Sequence, residues 1–249
     1  MDPELLRLQK TLYTSSNPTR RWLHCTRRDW IMAELRRQAS QKHQTALEVG
    51  FGSGVYLPLL AELYDDAVAV DLQEAFLEHG RSLTATLPNL RVIADDITKS
   101  QLKNDEFDLI LCSEVIEHID QWQKALAEMY RLTRPGGTLL LSTPQPWSPL
   151  EVMGKIAFKP GIISLVRAVY GEEILETGHI SLLSEKRITT ALKAVGFSIK
   201  ERFKSGIYLP VVAEFFGEPA LRLERWLEGR LREGPLQQFL WVQFYVAQK

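Results

Sequence analysis

Ala46-Leu47-Glu48-Val49-Gly50-Phe51-Gly52-Ser53-Gly54 decides the fold of this chain. An apolar run from Thr45 to Val49 carries an acid at Glu48 and gives way to three glycines at alternate positions. Residues 55–63 then take the spacing of a helix. Glycine at every second position strips side chains from a strand-to-helix turn, so a ligand can lie against bare backbone and the first N–H groups of the helix. The order is E-x-G-x-G-x-G, not the G-x-G-x-x-G that seats a pyrophosphate on a helix N-terminus. Glu48 aims a carboxylate where a pyrophosphate would be repelled. The turn therefore suits a ligand carrying an ammonium or a sulfonium.

Outward from this turn the pattern is rhythmic. Residues 19–39 place Trp22, Leu23, Trp30, Ile31 and Leu35 at helical spacing ahead of the first strand. Ala67–Asp71, Leu90–Ala94 and Phe107–Cys112 read as further strands, with helices expected over 73–86 and 120–133. Pro135-Gly136-Gly137 breaks the chain before a fifth strand over 138–143. A helix near 184–195, a strand near 197–204 and a closing strand over 239–247 complete the series. Strands alternating with helices predict an α/β fold: a Rossmann-like, seven-stranded, mostly parallel sheet with helices on both faces. Residues 144–178 interrupt the rhythm and are read as a lid insert, with Pro160-Gly161 dividing it into two short helices. We expect a single domain over 1–249, with the insert on the ligand side, beyond the carboxyl ends of the strands.

Composition narrows the function classes. The chain has 249 residues, 45% of them apolar, and a formal net charge of −1, so no global basic field draws it to nucleic acid. Cys25 and Cys112 stand far apart without metal spacing, which suits a reducing compartment. Met1-Asp2-Pro3-Glu4 lacks a signal-peptide pattern, and no apolar run is long enough to span a bilayer. The expectation is a soluble, cytoplasmic protein.

Glu48-x-Gly-x-Gly-x-Gly resembles motif I of the class I S-adenosylmethionine-dependent methyltransferases. Asp71, Asp95, the segment from Glu114 to His118 and Pro135-Gly136-Gly137 follow in the order of that family. The resemblance covers residues 19 to 204, and the closing strand fits too. It implies S-adenosylmethionine as cofactor, held by Glu48, Gly50, Phe51, Gly52 and Gly54 of the turn. Asp71 would take the ribose hydroxyls, or cap the following helix. Leu72 would lie against adenine, and Asp95 and Asp96 would meet its amino group and a ring nitrogen, or cap their own turn. Cys112 would offer backbone to the methionine part. Of Arg27 and Arg28, one would pair with the methionine carboxylate, Arg28 being the first choice; a solvated helix face is the competing reading.

Ser113-Glu114-Val115-Ile116-Glu117-His118-Ile119 bears on catalysis. In a helix, Glu114, Glu117 and His118 would share one face. Such a set could hold a divalent cation, and it resembles the metal segment of small-RNA 2′-O-methyltransferases and ubiquinone-biosynthesis O-methyltransferases. The reading preferred here is metal-free, with positioning and desolvation supplying most of the catalysis. His118 and His179 are then the candidate bases.

The insert followed by Gly178-His179 resembles the ubiquinone-biosynthesis O-methyltransferases, although Glu48 and Phe51 stand where that family usually has Asp and Cys. Residues 152–170 mix apolar side chains with Lys155, Lys159 and Arg167, which suits a pocket roof or peripheral contact with a membrane. Residues 206–249 match nothing in that family; Tyr208, Leu209, Phe215, Phe216, Trp226 and Trp241 are read as pocket wall or core. The expected activity is methyl transfer to a hydroxyl oxygen of a small, rather apolar acceptor. Carbon or nitrogen acceptors, RNA 2′-O-methylation and a non-catalytic cofactor-binding module are the alternatives. A nicotinamide oxidoreductase is disfavoured by Glu48 and the glycine spacing.

Overall fold

The computed structural model describes residues 9, 11–39, 44–157 and 180–249. Seven strands, β1 (Thr45–Val49), β2 (Asp66–Asp71), β3 (Leu90–Ala94), β4 (Phe107–Ser113), β5 (Thr133–Pro144), β6 (Ser198–Ser205) and β7 (Val242–Gln248), form one sheet. Their order is β3-β2-β1-β4-β5-β7-β6. β7 runs antiparallel to both its neighbours; the pairs among β1 to β5 are parallel. Strand order reverses between β1 and β4, so their carboxyl ends open the crevice in which such sheets bind ligands.

Alternation along the strands sorts two cores. Ala46, Leu109, Leu111 and Leu140 face α1 (Pro18–Gln38), α2 (Leu57–Leu63) and α3 (Glu74–Leu83). Leu47, Val49, Ile110, Leu139 and Leu141 face α4 (Trp122–Leu132) and α6 (Glu185–Val195). Strands buried on both faces must be apolar nearly throughout, which is why the sequence runs that reveal them lack polar alternation. Leu126 and Met129 of α4 are fully buried, and truncating either to alanine would cost about 2–5 kcal/mol. α1 begins where Asn17 accepts the amides of Thr19 and Arg20 and Pro18 presets the first turn. Among the described residues no helix is long and apolar enough to cross a membrane.

The structure departs from the sequence expectations in four places. β5 starts at Thr133 rather than 138: Thr133 pairs with Phe107, a register shift follows, and Pro135-Gly136-Gly137 sits within the strand as an irregularity. The segment after β4 is not the start of a helix. Glu114 takes a left-handed φ of 56°, only Ile116–His118 form a 3-10 turn, and α4 begins at Trp122. β7 starts at Val242, preceded by a 3-10 turn over Pro235–Phe239. The C-terminal region contributes α7 (Pro210–Leu231), which kinks at Gly217 (φ 48°, ψ −120°) into two helical segments, with Pro219 just beyond the kink. Tyr208 and Trp241 are buried there, whereas Phe215, Phe216 and Trp226 are exposed and belong to neither core nor wall. Of the insert, α5 (Pro149–Ala157) is described; residues 158–178, and with them the Pro160-Gly161 division, lie outside the described residues.

Candidate functional site

The glycine turn leaves β1 with no space for side chains. Gly50 has φ +65°, and a Cβ there would stand 2.6 Å from Val115 Cγ2. Its amide donates to Val70 O at 2.8 Å, tying the turn to β2. Gly52 has φ +51°, and its Cβ would meet Gln9 Oε1 at 2.5 Å. Gln9 accepts from the Ser53 amide at 2.8 Å, so the N-terminal segment already touches this backbone. Both glycines are therefore demanded by their left-handed conformation, and Gly50 also by contact with Val115. Phe51, expected at the cofactor, instead turns into the core against Gly80 and is buried. The phenyl ring anchors the turn to α3.

Two acids flank the turn. Glu48 is 3% exposed, and its Oε2 has no hydrogen-bond partner. Burial, reinforced by the nearby Asp71 charge, pushes its carboxyl well above the usual range. Asp71 accepts the Gly52 amide at 3.3 Å through Oδ2, and the Leu72 and Gln73 amides at 2.8 and 2.9 Å through Oδ1. It thus joins the end of β2 to the glycine turn while also holding the entry to α3. Leu72, 68% exposed, projects a bare apolar side chain beside it. At the end of β3, Asp95 turns onto the Ser100 hydroxyl and the Gln101 amide. Asp96 accepts from the Thr98 amide and hydroxyl, which lowers its pKa. Both carboxylates are engaged in closing their own loop.

The third side of the crevice was only partly foreseen. Arg27, not Arg28, lies in it: Arg27 is buried and pairs with Glu114 at 3.0 Å. Burial, the largest single influence, would lower its pKa, but Glu114 together with Tyr13 and Tyr56 more than offsets it and keeps the guanidinium charged. Arg28 pairs with its neighbour Asp29 and lies over the Tyr13 ring. The i, i+1 relation on α1 separates them, since adjacent helical residues point about a quarter-turn apart. Glu114 and Glu117 are fastened to the end of β5, through Ser142 at 3.0 Å and Thr143 at 2.9 Å. Glu117 is fully buried with Oε1 partnerless, and burial and Glu114 raise its pKa well above the ordinary value. Cys112 is buried within β4, its thiol in the core.

His118 is exposed on the 3-10 turn, while Glu117 points inward; the single helical face that would unite Glu114, Glu117 and His118 does not form. Among the described residues no three His, Cys, Asp or Glu side chains gather as a metal site. His179 lies outside the described residues. Sequence reasoning missed His24, which stands edge-on to Trp241 at 5.2 Å and to Tyr13 at 6.3 Å. Its Nδ1 lies 3.3 Å from Arg27 Nη2. Arginine can only donate, so Nδ1 accepts and the neutral ring carries its proton on Nε2. Burial, with help from Arg27 and Arg20, keeps that ring neutral. The signal for His24 was its place three residues before Arg27 on one helical face.

Partnerless buried atoms are uncommon and require an explanation. Here Arg27 Nε, Glu48 Oε2 and Glu117 Oε1 are all partnerless, and all three residues stand at the crevice formed by the ends of β1 and β4. One donor and two acceptors are thus left for something else to satisfy. A separate cavity of about 450 Å³ lies by the end of β5, lined by residues including Gln145, Trp147, Glu185, Arg202 and Lys204. It contains none of the crevice residues.

Known proteins resemble this chain in sequence and in fold. Residues 47–141 match the family described as "Methyltransferase domain". The chain is 35% identical over 118 residues to a ubiquinone biosynthesis O-methyltransferase of Methylococcus capsulatus, covering 44% of this chain and 49% of that one. It is 28% identical over 143 residues to a demethylmenaquinone methyltransferase of Beutenbergia cavernae, covering 56% and 58%. The chain therefore spans about half the length of the curated relatives it matches. Among solved structures, a magnesium protoporphyrin IX methyltransferase of Synechocystis with bound S-adenosylhomocysteine superposes with a TM-score of 0.63. The two share 16% identity over 97% of this chain and 87% of that one, a likeness of fold.

Proposed function

We propose that this chain, a member of the class I S-adenosylmethionine-dependent methyltransferases, moves a methyl group onto a hydroxyl oxygen of a small, rather apolar acceptor. The observation that carries the reading is the set of partnerless atoms on Arg27, Glu48 and Glu117 around a side-chain-free glycine turn. The residues fit S-adenosylmethionine. Asp71 would hold the ribose hydroxyls, Leu72 would cover adenine, and the Asp95–Asp96 corner would meet its edge. The turn from Gly50 to Gly54 would pass beneath the ligand. Arg27 is the better placed partner for a carboxylate, and Glu48 for an ammonium or hydroxyl donor. When bound, the cofactor supplies an electrophilic methyl on a positively charged sulfur.

The chain's own contribution is then to orient the acceptor and to receive its proton. His24, Tyr13 and Trp241 form an aromatic wall beside Arg27, suited to a flat or apolar acceptor. His24 presents an N–H and therefore serves as a donor that orients the acceptor. His118 is the proposed proton acceptor, with His179 as the second candidate. Relatives named for ubiquinone and demethylmenaquinone chemistry support an apolar, quinone-like acceptor. Peripheral membrane contact through residues 152–170 would bring such acceptors within reach.

The test is incubation with methyl-labelled S-adenosylmethionine and a panel of hydroxylated aromatics and quinols. Label should enter the organic phase as an O-methyl ether identified by mass spectrometry. Label on ring carbon or on nitrogen would overturn the hydroxyl assignment, and no transfer to any panel member would overturn the acceptor class.

A further inference from the structure

α7 is amphipathic in the reverse sense. Its inward face carries carboxylates: Glu224 is wholly buried, accepting from Thr19 Oγ1 at 2.6 Å and the Leu209 amide at 2.7 Å. Glu228 is buried too, accepting from the Ser205 hydroxyl at 2.5 Å and the Gly206 amide at 2.9 Å. These bonds satisfy the loop that precedes α7 and fix the rotation of its segment beyond the Gly217 kink. The exposed side of both segments shows what a surface helix normally hides. Phe215 is 65% and Phe216 61% exposed, and Leu223 and Trp226 are exposed with them. Scattered single apolar residues need no explanation, but two adjacent phenylalanines just before the Gly217 kink and a tryptophan beyond it, all exposed on this one element, do.

The segment beyond the kink is also basic, although the whole chain has a net charge of −1. Arg222, Arg225 and Arg230 are exposed on it. Arg222 and Arg225 have no ion pair among the described residues, and Arg230 lies over the Trp226 ring at 5.3 Å from its centroid. α5 packs against α7 and adds exposed Val152, Met153 and Lys155. Leu223 and Trp226 interleaved with Arg222, Arg225 and Arg230 on the segment beyond the kink, with Phe215 and Phe216 exposed just before it, match the chemistry of an interfacial helix on anionic lipid. A second copy of the chain is the poorer occupant. A twofold contact would set these arginines against themselves, with Glu218 as the one exposed acid on the helix's outward face to offset them.

We infer that the outward face of α7, with α5 beside it, docks on the surface of an anionic lipid bilayer. The inference stands on α7 alone and is independent of the methyl-transfer reading, so either can fail without the other.

The experiment is co-sedimentation of the full chain with vesicles of phosphatidylcholine, with and without 30% phosphatidylglycerol (roughly a cytoplasmic-leaflet level of anionic charge). Binding to the anionic vesicles, weak binding to the neutral ones, and loss at high salt are expected. Replacing Arg222, Arg225 and Arg230 together by glutamine should lower partitioning about fivefold per arginine, roughly a hundredfold in all. The Phe215→Ser/Phe216→Ser variant should lose binding while keeping the wild-type near-ultraviolet circular dichroism. Brominated lipid should quench the emission of wild type more than that of Trp226→Phe, a readout that needs no destabilised variant. Absence of binding to anionic vesicles, or binding that neither set of substitutions alters, would overturn the inference. So would a concentration-dependent dimer, seen by sedimentation velocity, that disappears in the Phe215→Ser/Phe216→Ser protein.

Discussion

Glu48→Gln should make the unliganded protein more stable and the liganded complex weaker. The native carboxylate is buried with one oxygen unpartnered, and both burial and Asp71 oppose its charge. Glutamine keeps the shape and removes that charge. An unsatisfied buried polar group costs about 1–3 kcal/mol, more when charged, and a chain of this size shifts its Tm by roughly 2–4 °C per kcal/mol. The variant should therefore melt about 2–12 °C higher at pH 8 by differential scanning calorimetry. The sign of the pH dependence follows from the raised pKa. Wild-type Glu48 contributes its stability in full below the unfolded value and loses it as pH rises through the folded value. The gap between variant and wild type should thus be widest at alkaline pH and close as pH falls toward 4.5, the ordinary value. Glu117 is raised in the same direction but is present in both proteins, so it cancels in the difference. Affinity moves oppositely: losing a charge-assisted hydrogen bond of about 1.5–3 kcal/mol weakens S-adenosylhomocysteine binding about 10- to 150-fold. A variant less stable than wild type at pH 8, or one that binds the ligand equally well, would refute this account of Glu48.

Gly50→Val should both destabilise the fold and abolish ligand binding: a left-handed valine costs about 1–2 kcal/mol, and its clash with Val115 adds about 1–3 kcal/mol. Normal ligand affinity in the folded variant would remove the glycine turn from the site. Asp71→Ala should raise the Kd for S-adenosylhomocysteine by calorimetry about tenfold or more, as three backbone amides lose their acceptor; an unchanged Kd would reduce Asp71 to a turn cap. Arg27→Met should cost about 3–5 kcal/mol in urea unfolding by stranding Glu114. Arg28→Met should stay within about 0.5 kcal/mol, and equal losses in the two would contradict the placement of Arg27 in the crevice.

The sheet was legible because its central strands are short apolar runs closed by acids or glycines, a signal that does not depend on tertiary context. The glycine turn was legible for the same reason: Gly50 and Gly52 answer to local geometry. What failed depended on rotation about an axis. Arg27 and Arg28 are neighbours in sequence, and only the packing of α1 decides which of them turns toward Glu114. Phe51 lies between glycines that read as a ligand turn; the space left by Gly80, far along the chain, takes its ring instead. The segment from Glu114 to His118 has helical spacing, yet the left-handed Glu114 and its bond to Ser142 stop a helix from starting there. α7 was missed because its buried acids and exposed aromatics invert the periodicity by which helices are read.

Calorimetric titration of the chelator-treated protein with S-adenosylhomocysteine, with NADH as the control, tests the central claim most directly. The account predicts saturable one-to-one binding of S-adenosylhomocysteine, weakened in Asp71→Ala, and no heat with NADH. Folded protein that binds NADH, or that binds neither ligand, would contradict the assignment of the crevice to a methyl donor while leaving the sheet and its topology intact.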